Sequence, residues 1–296
     1  LRCLKRLPNN IQRVGLLANT EKASCVPVLQ QARKWLLEAG REVLAETGSG
    51  QFANLDCPLI PSVAQLGKRC DLLIVFGGDG TMLRAGRELD GASTPIMGIN
   101  LGGLGFLTAA SSDDVIPALS RVLSGDFSIE ARPLLKVTYS ADKSAKSRAI
   151  NDVVISRGAV PRLIELDVFV DGEELTRYRC DGLIISSPTG STAYSLAAGG
   201  AIVSPNAEVF TVTPICPHTL SNRSVILNLS STIVVRAASK KPETIVSTDG
   251  ETFRSLAEGQ EVVIVRSRRS VHLVRLSGTS FFKTLRQKLN WSGSSV

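Results

Sequence analysis

A chain of 296 residues with 43% apolar and 21% charged side chains can build two globular domains, which excludes peptide-sized, disulfide-stapled and disordered classes. Lys and Arg exceed Asp and Glu by 34 to 27, and the formal charge of +7 favours an anionic partner. Aromatic residues make up only 5% and no dense Lys/Arg stripe is present, so a nucleotide-sized polyanion is expected rather than nucleic acid.

Along the chain, Arg13–Asn19 is a short apolar run ending in a turn residue. Residues 21–39 carry helical spacing at Val28, Leu29, Ala32 and Leu36, with Gly40 as the stop. Residues 42–46 read as a strand. Gly48-Ser-Gly-Gln-Phe-Ala53 fits a loose dinucleotide-binding pattern, but Pro58 and Pro61 leave no room for the long helix that pattern needs, so a surface loop is expected. Leu72–Phe76 reads as a buried parallel strand, followed by a glycine turn, a helix to about Leu89 and a strand over 95–100.

From about residue 128 the texture changes. β-Branched runs recur over 134–139, 150–156, 163–170, 182–187, 225–229, 232–237, 244–248, 261–266 and 271–276, with Asp171-Gly172 and Asp249-Gly250 as hairpin turns. The small and charged stretch Ser140–Arg148 reads as a loop. Phe281, Phe282, Leu285 and Leu289 keep helical spacing, and Trp291 reads as the packing anchor of that last helix. The expected architecture is an α/β domain over 1–127 with an open, mostly parallel sheet, a β-rich domain over 128–276, and a C-terminal helix over 277–296 packing back on the first domain.

The six cysteines, Cys3, Cys25, Cys57, Cys70, Cys180 and Cys216, contain no Cys-x-x-Cys and read as reduced, mostly buried thiols. With only His218 and His272, a zinc site is not expected, and His218 reads as a structural histidine. No apolar run approaches the ~18 residues of a spanning helix, so a soluble, cytoplasmic protein with no membrane partner is expected.

The strongest chemical signal is Phe76-Gly-Gly-Asp-Gly-Thr81 at the carboxyl end of a buried strand and the mouth of a helix. Glycines there let backbone N–H groups approach phosphate oxygens, and the helix N-terminus adds its positive end. Asp79 would repel phosphate unless it works on a metal ion or on a proton, which marks it as functional. The alternative is an Asp-Gly turn with Asp79 capping the helix.

Gly77-Gly-Asp-Gly-Thr81 resembles the signature of a kinase superfamily that includes NAD kinases, diacylglycerol and sphingosine kinases and, more distantly, phosphofructokinases. Asn100-Leu-Gly-Gly-Leu-Gly-Phe-Leu107, Asn151-Asp152, the run from Asp181 to Gly200, Pro214–Arg223, the Asp249-Gly250 turn and the tail Leu285–Trp291 are similar, in order, to the NAD kinase blocks, and a lipid-kinase Gly-Asn-Asp segment is absent.

The resemblance implies transfer of the terminal phosphoryl group of ATP to the 2′-hydroxyl of the adenosine ribose of NAD, with Mg²⁺. Asp79 would be the catalytic residue, and Gly77, Gly78, Gly80 and Thr81 would hold the ATP phosphates. Asn151, with an amide edge matching adenine, and Asp152, gripping ribose hydroxyls, would bind NAD together with Asp181, Thr189, Thr192, Ala193, Tyr194, Phe106 and Asp249. The family usually has Glu where Asp152 stands. A homodimer or homotetramer is implied. The rival readings are a lipid kinase of the same superfamily and a non-catalytic NAD(P) sensor.

Overall fold

The computed structural model describes residues 11–103, 105–142, 144–218, 223–239 and 243–291. The chain divides into two compact units, one comprising residues up to Ala131 and from Ser270 on, the other Arg132–Arg269.

The first unit runs β1 (Arg13–Ala18), α1 (Cys25–Glu38), β2 (Glu42–Glu46), α2 (Thr47–Phe52), β3 (Leu59–Ile60), α3 (Val63–Arg69), β4 (Leu72–Phe76), α4 (Asp79–Glu88), β5 (Ile96–Asn100), β6 (Ala110–Ser111) and α5 (Val115–Leu123). Its sheet is parallel in the order β5-β4-β1-β2-β3, with β6 also on β5. β4 is buried along its whole length, as its unbroken apolar run requires of a central parallel strand. Val14, Leu16, Ile74 and Phe76 pack with α1 and α5 on one face. On the other face Gly15 and Gly98 admit α3 and α4: a Cβ on Gly15 would lie 2.9 Å from Cys70 Sγ, and one on Gly98 2.7 Å from Met82 Sδ.

The second unit contains most of β7 (Phe127–Tyr139), then β8 (Lys146–Ala149), β9 (Asp152–Arg157), β10 (Ile164–Val170), β11 (Glu173–Cys180), β12 (Gly182–Ser186), α6 (Tyr194–Ala197), β13 (Val209–Ile215), β14 (Val225–Asn228), β15 (Ile233–Ala237), β16 (Thr244–Thr248), β17 (Glu251–Leu256) and the first part of β18 (Glu261–Leu276). Six strands form an antiparallel sheet in the order β14-β13-β12-β9-β16-β17. Val153 and Ile155 of β9, Leu183 and Ile185 of β12 and Phe210 and Val212 of β13 point into one core with Leu166, Val168, Ile233 and Val235 of β10 and β15. Side chains alternate along a strand, so this inward set assigns Asp152, Ser186 and Thr211 to the opposite face, where they sit side by side in register.

Several expectations change. Residues 48–52 belong to the short helix α2 rather than to a surface loop, with Ala53 as its C-cap, because the Glu46 carboxylate caps the helix through the N–H groups of Gly48 and Ser49, and Ser49 and Gly50 are buried. Residues 146–149, within the expected loop, pair with β7 as β8. The runs 261–266 and 271–276 are one continuous strand, β18. The final helix, α7 (Phe281–Leu289), buries only Leu285; Phe282 is 62% and Trp291 56% exposed, so neither is a packing anchor. Among the five described cysteines, Cys25, Cys70 and Cys180 are buried while Cys216 is exposed, and Cys3 lies outside the described residues. Burial pushes the Cys70 and Cys180 thiols up to about 12, which makes them inert packing groups.

Candidate active site

The glycine turn sits where the parallel sheet changes direction. From the neighbours β1 and β4, strand order runs outward to β2 and β3 on one side and to β5 on the other, and open α/β sheets bind ligands outside the carboxyl ends of such a pair. The Asn19 N–H donates to the Phe76 carbonyl at 2.9 Å across this switch point. A Cβ on Gly77 would come within 2.3 Å of Thr81 Oγ1, so the tight turn itself needs that glycine, and Thr81 is buried against it. A Cβ on Gly78 or Gly80 would meet no atom within 4 Å; their bare backbone leaves space for an incoming group.

Asp79 is the first residue of α4 but does not cap it; Gly78 is the N-cap. Instead its carboxylate turns to a neighbouring loop, Oδ2 accepting the Phe106 N–H at 2.9 Å and Oδ1 the Leu107 N–H at 3.0 Å. The helix-capping alternative is thereby removed. Gly105 makes this contact fit, because a Cβ there would lie 2.2 Å from Asp79 Oδ1. Two backbone donors leave a carboxylate with acceptor capacity to spare. The Phe106 ring packs 6.3 Å from that of Phe281, so it is the backbone of Phe106 that bears on Asp79.

In the β-rich unit, the turn between β16 and β17 places Asp249 in the left-handed region, φ 50°. Its carboxylate accepts the N–H groups of Ile150 (2.9 Å), Asn151 (2.7 Å) and Asp152 (3.2 Å), so it organises the start of β9. Asp152 beside it is 4% exposed, and no donor among the described residues reaches its carboxylate. Burial, reinforced by the neighbouring Asp249 charge, pushes Asp152 up to about 7. Asn151 has its backbone committed, its carbonyl accepting from the Ser187 N–H at 2.8 Å, while its side chain has no partner among the described residues.

The hydroxyl-rich segment after β12 is tightly tied rather than flexible. Ser187 Oγ donates to the Ile150 carbonyl at 2.5 Å, Gly190 N–H to Ser187 Oγ at 3.2 Å, and Ser191 Oγ to the Pro188 carbonyl at 2.8 Å. A Cβ on Gly190 would stand 2.2 Å from the Asn151 carbonyl oxygen. These bonds bring Gly190 against the Asn151 backbone. The Thr189 hydroxyl is buried without a partner among the described residues, Thr192 Oγ1 bonds the Thr189 carbonyl at 3.2 Å, and Ala193 leads into α6, where Tyr194 is 48% exposed.

Asp181 is not brought to this group. Gly182 pairs with Ser156 and Ser186 with Asp152, so Asp181 lies beside Arg157, roughly 16 Å along β9 from Asp152 at ~3.3 Å per residue. Its carboxylate is paired with Arg157 Nε at 2.8 Å. Sequence reasoning missed Arg275 and Glu130, which hold the Phe106 loop; an arginine at a strand end and an acid in a mixed run carry no local signal. It also missed that Asp249 acts as an acceptor for amides about a hundred residues earlier.

Among the described residues no group of three or more His, Cys, Asp or Glu side chains is placed to hold a metal ion, and no helix is long and apolar enough to cross a membrane.

A doubly covered parallel sheet with an acid at a glycine turn, joined to an antiparallel β unit with a buried, unsatisfied carboxylate, defines a nucleotide-handling two-unit fold. Family models described as the ATP-NAD kinase N-terminal domain and the ATP-NAD kinase C-terminal domain match residues 14–127 and 150–276. The chain belongs to the ATP-NAD kinase family. It is 35% identical over 283 residues to an NAD kinase of Geotalea daltonii, covering 95% of this chain and 99% of that one. It is also 39% identical over 285 residues to an NAD kinase of Moorella thermoacetica, covering 96% and 91%. Among solved structures, yeast NADH kinase complexed with NADH is similar with a TM-score of 0.87 at 29% identity, over 97% of this chain and 89% of that one. An NAD kinase from Archaeoglobus fulgidus in complex with ATP follows at 0.74 and 27%, over 95% and 100%.

Proposed function

We propose that this chain is an NAD kinase that transfers the terminal phosphoryl group of ATP to the 2′-hydroxyl of the adenosine ribose of NAD, giving NADP. The observation that carries the mechanism is the Asp79 carboxylate, fixed by the Phe106 and Leu107 amides at the edge of an open glycine turn. The backbone around Gly77, Gly78 and Gly80 receives the ATP phosphates at the N-terminus of α4, with Thr81 shaping the turn from below. Asp79 accepts the proton of the acceptor hydroxyl or orients that hydroxyl for in-line attack.

Asn151 offers a free amide edge to adenine, and Asp152 accepts from the ribose hydroxyls, which supply the donors its buried carboxylate lacks. Thr189 gives its unpartnered hydroxyl, and Thr192, Ala193 and Tyr194 line the same ligand, with the exposed Tyr194 ring free to stack. Asp249 serves NAD indirectly, by holding the amides of Asn151 and Asp152. Phe106 acts through its backbone, and Asp181 is left to the far end of an extended dinucleotide.

Mg²⁺ would arrive on the ATP phosphates, whose charge it neutralises, since the described residues build no cage for it. The α/β unit takes ATP and the β-rich unit takes NAD. The enzyme is read as a cytoplasmic homodimer or homotetramer, which light scattering in solution tests.

Incubation with NAD, ATP and Mg²⁺ followed by a NADP-specific assay should give product, and Asp79→Asn should lower kcat by roughly 10²–10⁴ with NAD still bound. Asp79→Asn retaining more than about a tenth of wild-type kcat would refute the role given to Asp79.

A further inference from the structure

The turn over residues 105–108 is suspended between two charges. On one side it gives two amides to Asp79. On the other, Arg275 Nη2 donates to the Phe106 carbonyl at 2.6 Å and Nη1 to the Thr108 carbonyl at 3.1 Å, while Arg275 Nε is held by Glu130 Oε2 at 3.1 Å. The Phe106 carbonyl and the Leu107 N–H belong to the same peptide group. A cation on its oxygen and a carboxylate on its N–H polarise that group in one sense, so each bond strengthens the other.

The guanidinium is not a loose surface charge: the Arg275 side chain is 18% exposed, and its planar fork spans two carbonyls that a lysine could not hold together. Within the turn, the Gly105 N–H donates to Thr108 Oγ1 at 3.2 Å, and the absence of a side chain at Gly105 is what lets the turn close on Asp79, since a Cβ there would lie 2.2 Å from Oδ1.

We infer that Arg275, aligned by Glu130, is a positioning residue for phosphoryl transfer: it fixes the Phe106-Leu107-Thr108 backbone that in turn fixes the Asp79 carboxylate. This rests on the reading of Asp79 given above. Reaction rates fall steeply when a catalytic group is misplaced by about 1 Å, so loosening this clamp acts on kcat rather than on substrate affinity. A purely structural staple would instead lower stability and leave the surviving folded enzyme at full rate.

The test compares wild type with Arg275→Lys, Glu130→Gln, Asp79→Asn, the Asp79→Asn/Arg275→Lys double variant and Arg121→Lys. Arg121 is a fitting control because it also clamps a carbonyl, that of Ser277 at 2.7 Å, through a guanidinium paired with an acid, Asp126. Each variant is measured for kcat, for KM of NAD and ATP, for Tm, and for amide hydrogen exchange over residues 105–108.

Arg275→Lys is expected to lower kcat roughly 10-fold or more with both KM values within about threefold, and to speed exchange in the turn. In the Asp79→Asn background the same change should cost less than about twofold, because residues acting as a unit are non-additive. Glu130→Gln should show the same pattern more weakly, and carries the test if Arg275→Lys does not fold. Equal cost in both backgrounds, an unchanged kcat in Arg275→Lys and Glu130→Gln, or a matching loss in Arg121→Lys overturns the inference. Full activity in Asp79→Asn overturns the reading of Asp79 itself, a result that does not involve Arg275.

Discussion

Asp152→Asn tests the electrostatics around this buried carboxylate without any substrate. In the folded chain the carboxyl is pushed up from 3.8 to about 7 by burial and by Asp249, and no donor among the described residues offsets this. Below pH 3.8 both folded and unfolded chains hold the proton. Between 3.8 and about 7 the folded chain keeps a proton that the unfolded chain has released, so stability falls as pH rises and levels off above 7. About three pH units at ~1.4 kcal/mol each make the full loss about 4 kcal/mol, of which about 3 fall between pH 5 and 8. With 4% exposure there is little solvent to screen the effect.

Urea unfolding of wild type and Asp152→Asn across pH 5–8 isolates this contribution, since all other groups cancel in the difference. The variant should gain on wild type steadily with pH; its absolute offset is set by how well the new amide is satisfied and is not diagnostic. Saturating NAD should flatten the wild-type slope by supplying hydroxyl donors to the carboxylate. A wild-type-minus-variant difference that is flat across this range, or that rises with pH, refutes the argument.

Asn151→Ala should raise KM for NAD about 10-fold or more while leaving KM for ATP and Tm unchanged, because the side chain has no partner among the described residues. Gly78→Ala and Gly80→Ala place a Cβ in open space, so their Tm should match wild type while KM for ATP rises; Gly77→Ala, clashing with Thr81, should lose Tm as well. Gly190→Ala drives a Cβ into the Asn151 carbonyl and should destabilise by at least about 1–3 kcal/mol in chemical denaturation. Asp249→Ala strips a charged acceptor from three amides and should cost about 3 kcal/mol together with NAD binding, measured by denaturation and by NAD titration.

Elements with a self-contained local signal were readable. The apolar run Leu72–Phe76 is β4, and residues 42–46 and 244–248 are β2 and β16. The acid-bearing glycine turn after β4 needed only its own six residues to be singled out. The helix α5 was not singled out although Val115, Ala118, Leu119 and Val122, its buried stripe, carry helical spacing; at nine residues it is too short for that spacing to stand out. β13 was hidden by Pro214, which argues against a central strand; among the described residues its pairing with β14 ends at Val212, two residues before the proline. Ser-Arg-Arg-Ser over 267–270 breaks the apolar pattern of β18 without breaking the strand. The roles of Asp249, Glu130 and Arg275 are tertiary: each reaches backbone groups distant in sequence, and no spacing rule points to such a partner.

β18 has a consequence for how this protein is made. Its early residues Ile264, Val263 and Val262 pair with β15 of the second unit, whereas Leu273, near its end, pairs with Ile96 of the first. The first unit is therefore interrupted by the whole of the second and cannot complete its sheet until the C-terminal segment has left the ribosome, while the second is synthesised as one continuous stretch. Such long-range closure is slow and leaves the Ile96 end of β5, beyond its pairing with β6, open to mispairing in the meantime. Loss of the residues after Ser270 would thus be felt first by the nascent N-terminal sheet, and this unit, which carries Asp79, would mature after the second unit during translation.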